Sequence, residues 1–233
     1  MICTLCPRGC GVERGETEGH GVCGVGALPK IARAGLHMWE EPCISGTRGS
    51  GAVFFSGCGL KCIFCQNEAI SRGGCGETVS IRRLADIFRE LEEQGAHNIN
   101  LVTPTHFAPV VTESVIKAKD GGIGVPFVWN SSGYETPEFF RNSAGIFDVF
   151  LPDFKYVSSE ISRKYSVAGD YSEVALNVLK AMREAQPDDI FENGLMKKGM
   201  IVRHLVLPGC TDDSLDVLDE IKKNLGNHSK VKN

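Results

Sequence analysis

No stretch of the 233 residues approaches the ~18 consecutive apolar residues of a membrane-spanning helix, so the sequence offers no candidate span. The start, Met1-Ile2-Cys3-Thr4-Leu5-Cys6, lacks the basic opening and apolar core of a secretory leader, and the cytoplasm is the expected compartment. Basic excess is missing too. A net charge of −4 and an isoelectric point near 5.9 give no broad positive field, so neither nucleic acid nor an anionic membrane surface is expected as a partner. Internal repeats, charge blocks and low-complexity segments are absent, apart from a polar end over residues 224–233 that is expected to be disordered or cut.

What is present suits one α/β domain with a small appendage. Hydrophobic residues make up 42% and charged residues 23% of a chain long enough to bury a substantial core. The 10 cysteines cluster at ligand spacings instead of spreading evenly, which favours reduced thiols holding metal over a disulfide scaffold.

Cys58, Cys62 and Cys65 stand at C-x-x-x-C-x-x-C spacing directly after the strand-like Ala52-Val53-Phe54-Phe55. A [4Fe-4S] cluster wants a thiolate on each iron, so three cysteines leave one iron open to an exogenous ligand. Structural zinc needs four closed ligands, and the next cysteine, Cys75, lies too far on. A second group, Cys3, Cys6, Cys10 and Cys23, forms C-x2-C-x3-C-x12-C and is closed by count. Zinc or an auxiliary [4Fe-4S] cluster would satisfy it equally, the first implying a structural role and the second an electron relay. Cys43, Cys75 and Cys210 have no partner spacing and read as small buried apolar residues.

Residues 1–50 carry many glycines and little periodicity and read as an irregular, cysteine-rich lobe held by metal. From residue 51 to 233, short apolar runs recur at 52–55, 99–102, 126–129, 147–151 and 200–207, and these read as buried parallel strands. Helical patterns lie between them. Ile81, Leu84, Phe88 and Leu91 share one face, and residues 109–118, 171–184 and 214–225 are further candidates. Strands alternating with helices indicate right-handed βαβ units, whose ligands collect beyond the carboxyl ends of the strands. Each proposed strand is followed by a polar or ligand-capable cluster: the cysteine triad, Thr103-Pro104-Thr105-His106, Asn130-Ser131-Ser132-Gly133-Tyr134, Asp153-Phe154-Lys155 and Pro208-Gly209-Cys210-Thr211-Asp212. One active site is the expectation.

The cysteine spacing, with the aromatic Phe64 before its last member, resembles the signature of radical S-adenosylmethionine enzymes. Nearly the whole chain is similar to the activating enzymes of glycyl radical enzymes, of the pyruvate formate-lyase activating type, and to their uncharacterised homologues. The runs that carry this are residues 57–67, Asp153-Phe154-Lys155, Val202-Arg203-His204-Leu205-Val206-Leu207-Pro208-Gly209, His37-Met38-Trp39-Glu40-Glu41-Pro42, residues 98–106 and Asn130-Ser131-Ser132-Gly133-Tyr134, with the N-terminal cysteine cluster. The resemblance implies an incomplete (β/α)6 barrel, of which five strands are evident and the sixth is expected to be missing or cut. It implies a [4Fe-4S] cluster that reductively cleaves S-adenosylmethionine to a 5′-deoxyadenosyl radical for hydrogen abstraction, with a flavodoxin- or ferredoxin-like reductant. Activation of a glycyl radical enzyme is the favoured role, with a peptide or small-molecule substrate, or a non-catalytic iron-sulfur or zinc module, as alternatives.

Candidate cofactor contacts are Phe64, Thr103, Thr105, Asn130, Ser131, Asp153, Lys155 and Arg203. Alternation places Asp153 and Lys155 on one side of an extended segment, suited to ribose hydroxyls and a carboxylate. Arg203 lies within an apolar strand and needs an anionic partner. His106 is the catalytic or substrate-contacting candidate. Two positions depart from the family pattern. Asn130 is neutral where a carboxylate is typical, and Thr103-Pro104-Thr105-His106 stands where Gly-Gly-Glu is usual.

Overall fold

The computed structural model describes residues 2–226 and 230–232. Of the polar end, residues 227–229 and 233 lie outside the described residues. After an irregular stretch the chain enters β1 (Lys30–His37), the single turn α1 (Pro42–Ser45) and β2 (Ser50–Phe55). The cysteine loop leads to α2 (Glu68–Ser71), β3 (Glu77–Thr78) and α3 (Ile81–Glu93). Next come β4 (Ile99–Val102), α4 (Ala108–Asp120), β5 (Phe127–Ser131), α5 (Pro137–Asn142) and β6 (Val149–Pro152). The rest is α6 (Ser159–Ser166), α7 (Tyr171–Ala185), β7 (Ile190–Glu192), β8 (Leu195–Arg203), α8 (Thr211–Leu225) and β9 (Lys230–Lys232).

The strands form one open sheet in the order β3-β1-β2-β4-β5-β6-β8-β7, with β9 also pairing β8. Neighbours from β2 through β4, β5, β6 and β8 to β9 are parallel, while β1, β3 and β7 add antiparallel pairings. This is an α/β fold with a mostly parallel, unclosed sheet, as an incomplete barrel requires. Contrary to expectation the sixth parallel position is filled, because Lys230, Val231 and Lys232 pair with Ile201, Val202 and Arg203. A three-residue strand with lysine at both ends has no apolar run to announce it.

The core explains the regular elements. Every residue of β5 and β6 is buried, as strands covered on both faces must be. Helix α3 turns Leu84, Ala85, Ile87, Phe88 and Leu91 inward, and the Phe88 ring meets Phe127 of β5 edge-on at 5.3 Å. Its start is fixed by Ser80, whose hydroxyl accepts from the Arg83 amide at 3.2 Å.

Residues 30–50 also differ from the sequence reading. β1 pairs antiparallel along β2, from Ile31 opposite Phe55 to His37 opposite Ser50, so the irregular part spans residues 2–29. β8 ends at Arg203, leaving Leu205 and Val206 exposed beyond it.

Candidate functional site

Parallel pairing aligns the carboxyl ends of the strands on one rim. Phe54 pairs with Val102, Val102 with Asn130, Asn130 with Leu151, and beyond β6 an isolated parallel bridge joins Asp153 to Arg203. The loops above this rim enclose a cavity of about 430 Å³, within the usual range for small-molecule sites. Cys58, Phe64, Cys65, Thr103, Ser131 and Lys155 are among its walls, together with Cys62, Asn130, Asp153 and Arg203. The cysteine loop is shaped by Gly57, which has φ +87° and where a Cβ would come within 2.6 Å of the Cys23 carbonyl oxygen.

Opposite the thiols lies a network of alternating charge. Arg203 Nη2 donates to Asn130 Oδ1 at 2.7 Å and meets Asp153 Oδ1 at 3.0 Å, while its Nη1 meets Glu40 Oε1 at 3.1 Å. Lys155 Nζ closes on Asp153 Oδ2 at 2.5 Å. Burial alone would raise the Asp153 carboxyl, but Arg203 and Lys155 outweigh it and hold it below the usual carboxylate range. Burial likewise disfavours the charges of Lys155 and Arg203, and Asp153 more than restores both. Both cations therefore stay charged at the cavity wall. Arg203 Nε is buried and has no hydrogen-bond partner among the described residues.

The Cys58 thiol is in the opposite condition. Burial first, then the nearness of Cys62 and Cys65, pushes the Cys58 thiol up to about 11, although the Leu60 amide donates to its sulfur at 3.4 Å. Three thiols on one loop at the wall of the cavity are a fitting donor set for an iron-sulfur cluster. The unpartnered Arg203 Nε beside Lys155 fits the carboxylate of a bound amino-acid cofactor.

Two sequence candidates fall elsewhere. Thr105 Oγ1 donates to Glu135 Oε1 at 2.7 Å, away from the cavity, in a buried group completed by Trp129 Nε1 at 2.9 Å and the Ser131 hydroxyl at 2.5 Å. Ser131 thus borders the cavity while its hydroxyl is engaged behind it. Burial raises the Glu135 carboxyl despite these three donors. His106, expected to meet substrate, is 2% exposed in the short helical turn Thr105–Phe107, with Nε2 2.7 Å from the Ser56 carbonyl oxygen. Burial lowers its pKa to about 4, so it is neutral and structural here. The cause of both corrections is that the chain turns inward after Thr103, which itself takes φ +60° at the rim.

Glu40 was missed. Its carboxylate gathers Arg203, Asn100 Nδ2 at 2.9 Å and Asn130 Nδ2 at 3.0 Å, and Trp39 beside it also lines the cavity. The acidic pair after an exposed aromatic in His37-Met38-Trp39-Glu40-Glu41-Pro42 was the available signal. His204 also borders the cavity, and its Nδ1 lies 2.8 Å from the Phe154 carbonyl oxygen. Cys43, Cys75 and Cys210 are half-buried, not the fully buried residues expected. Cys3, Cys6, Cys10 and Cys23 lie outside the cavity walls. Among the described residues no helix is long and apolar enough to cross a membrane.

Comparison with known proteins agrees with this geometry. The model of the Radical SAM superfamily matches residues 52–221. Uncharacterized protein MJ0674 of Methanocaldococcus jannaschii is 30% identical over 239 residues, covering 97% of this chain and 63% of that one. The chain therefore spans less than two-thirds of that relative's length. Among solved structures, Streptococcus suis SuiB bound to its precursor peptide SuiA has a TM-score of 0.55 at 11% identity, over 75% of this chain and 36% of that chain. SuiB alone gives 0.52 at 12% identity, with the same coverage. At such identity the likeness is one of fold. With a family model spanning well over half of its residues, and a triad of thiols facing a charged rim where that family holds a [4Fe-4S] cluster and S-adenosylmethionine, the chain belongs to the radical SAM superfamily.

Proposed function

We propose that the protein binds S-adenosylmethionine across the cavity and uses it to abstract a hydrogen atom from a polypeptide partner, the activation of a glycyl radical enzyme being the narrower form of this reading. The observation that carries it is the meeting of Cys58, Cys62 and Cys65 with Arg203, Asp153 and Lys155 in one cavity. Cys58, Cys62 and Cys65 would hold three irons and leave the fourth open. When bound and reduced by a flavodoxin- or ferredoxin-like donor, cluster and cofactor together supply a 5′-deoxyadenosyl radical. The chain's own residues orient and shield. Arg203 and Lys155 would hold the cofactor carboxylate, Asn130 and Asp153 would offer acceptors to its ribose hydroxyls, and Phe64 bounds the cavity as an apolar wall.

A polypeptide partner is supported by the mouth of the cavity. Trp39 is 88% exposed, and Met38, Leu205 and Val206 are also exposed apolar residues next to or at the same opening. SuiB, which shares the fold, is described with a bound precursor peptide.

The test is anaerobic reconstitution with iron and sulfide, reduction with dithionite, and measurement of 5′-deoxyadenosine from S-adenosylmethionine. Wild type should form it, and the Cys58→Ala/Cys62→Ala/Cys65→Ala variant should not. A wild-type protein that carries its cluster but yields no 5′-deoxyadenosine would sink the reading. Transfer of deuterium from a labelled protein glycine into the product, with a glycyl radical signal on the partner, would single out the activating role. Transfer from another residue would assign a peptide-modifying one.

A further inference from the structure

Serine hydroxyls inside helices ordinarily turn back onto the carbonyls of their own helix, and the serines of this chain show the habit. Ser114 Oγ donates to the Val110 carbonyl at 2.8 Å, Ser162 Oγ to Ser159 at 3.1 Å and Ser214 Oγ to Cys210 at 3.1 Å. Ser166 does not. The last residue of α6 and wholly buried, it directs its hydroxyl out of the helix, to Cys62 Sγ at 2.9 Å and the Tyr156 hydroxyl at 2.8 Å. The first partner is a proposed iron ligand, and the second is a phenol for which the proposed function has no use.

The count of protons gives these contacts a direction. Tyr156 is buried, and Ser166 is its one hydrogen-bond acceptor among the described residues, so the phenol proton goes to Ser166 Oγ. A hydroxyl carries a single proton, and Ser166 is left to give its own to Cys62 Sγ. The same sense holds once Cys62 is a thiolate, which can only accept. A phenol that donates into a second hydroxyl polarises it and strengthens the bond which that hydroxyl donates in turn. Both hydroxyls are also held in place. The Ile63 amide, next to Cys62, donates to the Tyr165 carbonyl at 2.9 Å and ties the cysteine loop to the end of α6, where Val167 at φ +55° stops the helix. The Tyr156 ring lies edge-on to Tyr171 at 5.4 Å and to Phe64 at 6.5 Å.

Cys58 Sγ accepts from the Leu60 amide within its own loop, and among the described residues Cys62 alone of the three sulfurs receives a side-chain donor. A hydrogen bond to a ligating sulfur withdraws negative charge from it and so favours the reduced, more negative cluster. Resting on the reading that Cys58, Cys62 and Cys65 hold a [4Fe-4S] cluster, we propose that Ser166, backed by Tyr156, is a positioning residue that raises the reduction potential of that cluster through Cys62. The cluster thereby comes within easier reach of its electron donor. Neither Ser166 nor Tyr156 lines the cavity, so the effect is separable from cofactor binding.

A redox titration of the anaerobically reconstituted protein without S-adenosylmethionine tests it. The signal followed is the electron paramagnetic resonance of the reduced cluster that the Cys58→Ala/Cys62→Ala/Cys65→Ala variant lacks. Ser166→Ala should keep the wild-type iron content and move the midpoint potential of that signal to more negative values. Tyr156→Phe should move it the same way by less, because Ser166 still donates. The double variant should match Ser166→Ala, since the phenol acts only through the hydroxyl. A merely structural role would lower the melting temperature or the iron content and leave the potential of the bound cluster where it was. An unchanged midpoint in Ser166→Ala at full iron content would overturn the proposal and leave the cluster reading standing, whereas a wild type that takes up no such cluster would overturn both. Where Ser166→Ala loses its iron, Tyr156→Phe decides, and an unchanged midpoint there overturns the proposal.

Discussion

Glu40 illustrates how one half-buried carboxylate at the cavity wall can order a site. It holds Arg203, Asn100 and Asn130 in place, and removing it leaves Asp153 as the one carboxylate paired with a cation that is only 24% exposed. Glu40→Ala should therefore cost about 2 kcal/mol, read as a lower denaturant midpoint. Glu40→Ala/Arg203→Met should cost clearly less than the sum of its single variants, and strict additivity would show that the two side chains do not act as a pair. His106 gives a second prediction. Its folded pKa of about 4 lies below the ordinary value of 6.5, so the unfolded chain binds the extra proton first and stability falls as pH drops from 6.5 towards 4. The full effect is about 3 kcal/mol. His106→Gln should flatten stability over that window while 5′-deoxyadenosine yield per cluster stays within about twofold, and a loss of catalysis with an unchanged stability profile would return His106 to the active site. At this scale the thiols, Asp153, Lys155 and Arg203 were legible because strand ends and ligand spacing fix them. Glu40 was not, since it reaches the site from the loop after an antiparallel strand.

Elements were legible where the core wrote them. The runs at 52–55 and 99–102 lie in β2 and β4, and the faces of α3, α4, α7 and α8 show in the apolar period. β1 was hidden because Lys30–His37 mixes polar and small residues and is mostly only half-buried. The early part of β8 escaped as well, although Asn193 and Gly194, both at positive φ, make the two-residue turn that joins it to β7. Turn chemistry, not hydrophobicity, carries that signal. The turn at Gly57 yields a prediction of the same kind. Gly57→Ala meets both a left-handed backbone and the Cys23 carbonyl, and should cost more than ~1 kcal/mol while lowering iron content at the adjacent Cys58 site. An unchanged melting temperature and iron content would show that the two loops can part without consequence.

Seen whole, the molecule is a sheet with a cysteine-rich, irregular cap. Residues 2–29 reach the rest of the chain through Arg8, whose guanidinium bonds Gly59 at 2.7 Å and Ser166 at 3.2 Å, and through Arg14. Limited proteolysis should cut this stretch well before the strands β2 to β6, and simultaneous loss of both would mean that the stretch is held as firmly as the sheet. The two tryptophans divide the same molecule optically. Trp129 is wholly enclosed and Trp39 almost wholly open at the cavity mouth, so an added quencher reaches one indole and not the other. A partner seated on the mouth would shelter Trp39 from acrylamide, and the fluorescence of the unlabelled protein becomes a titration of docking.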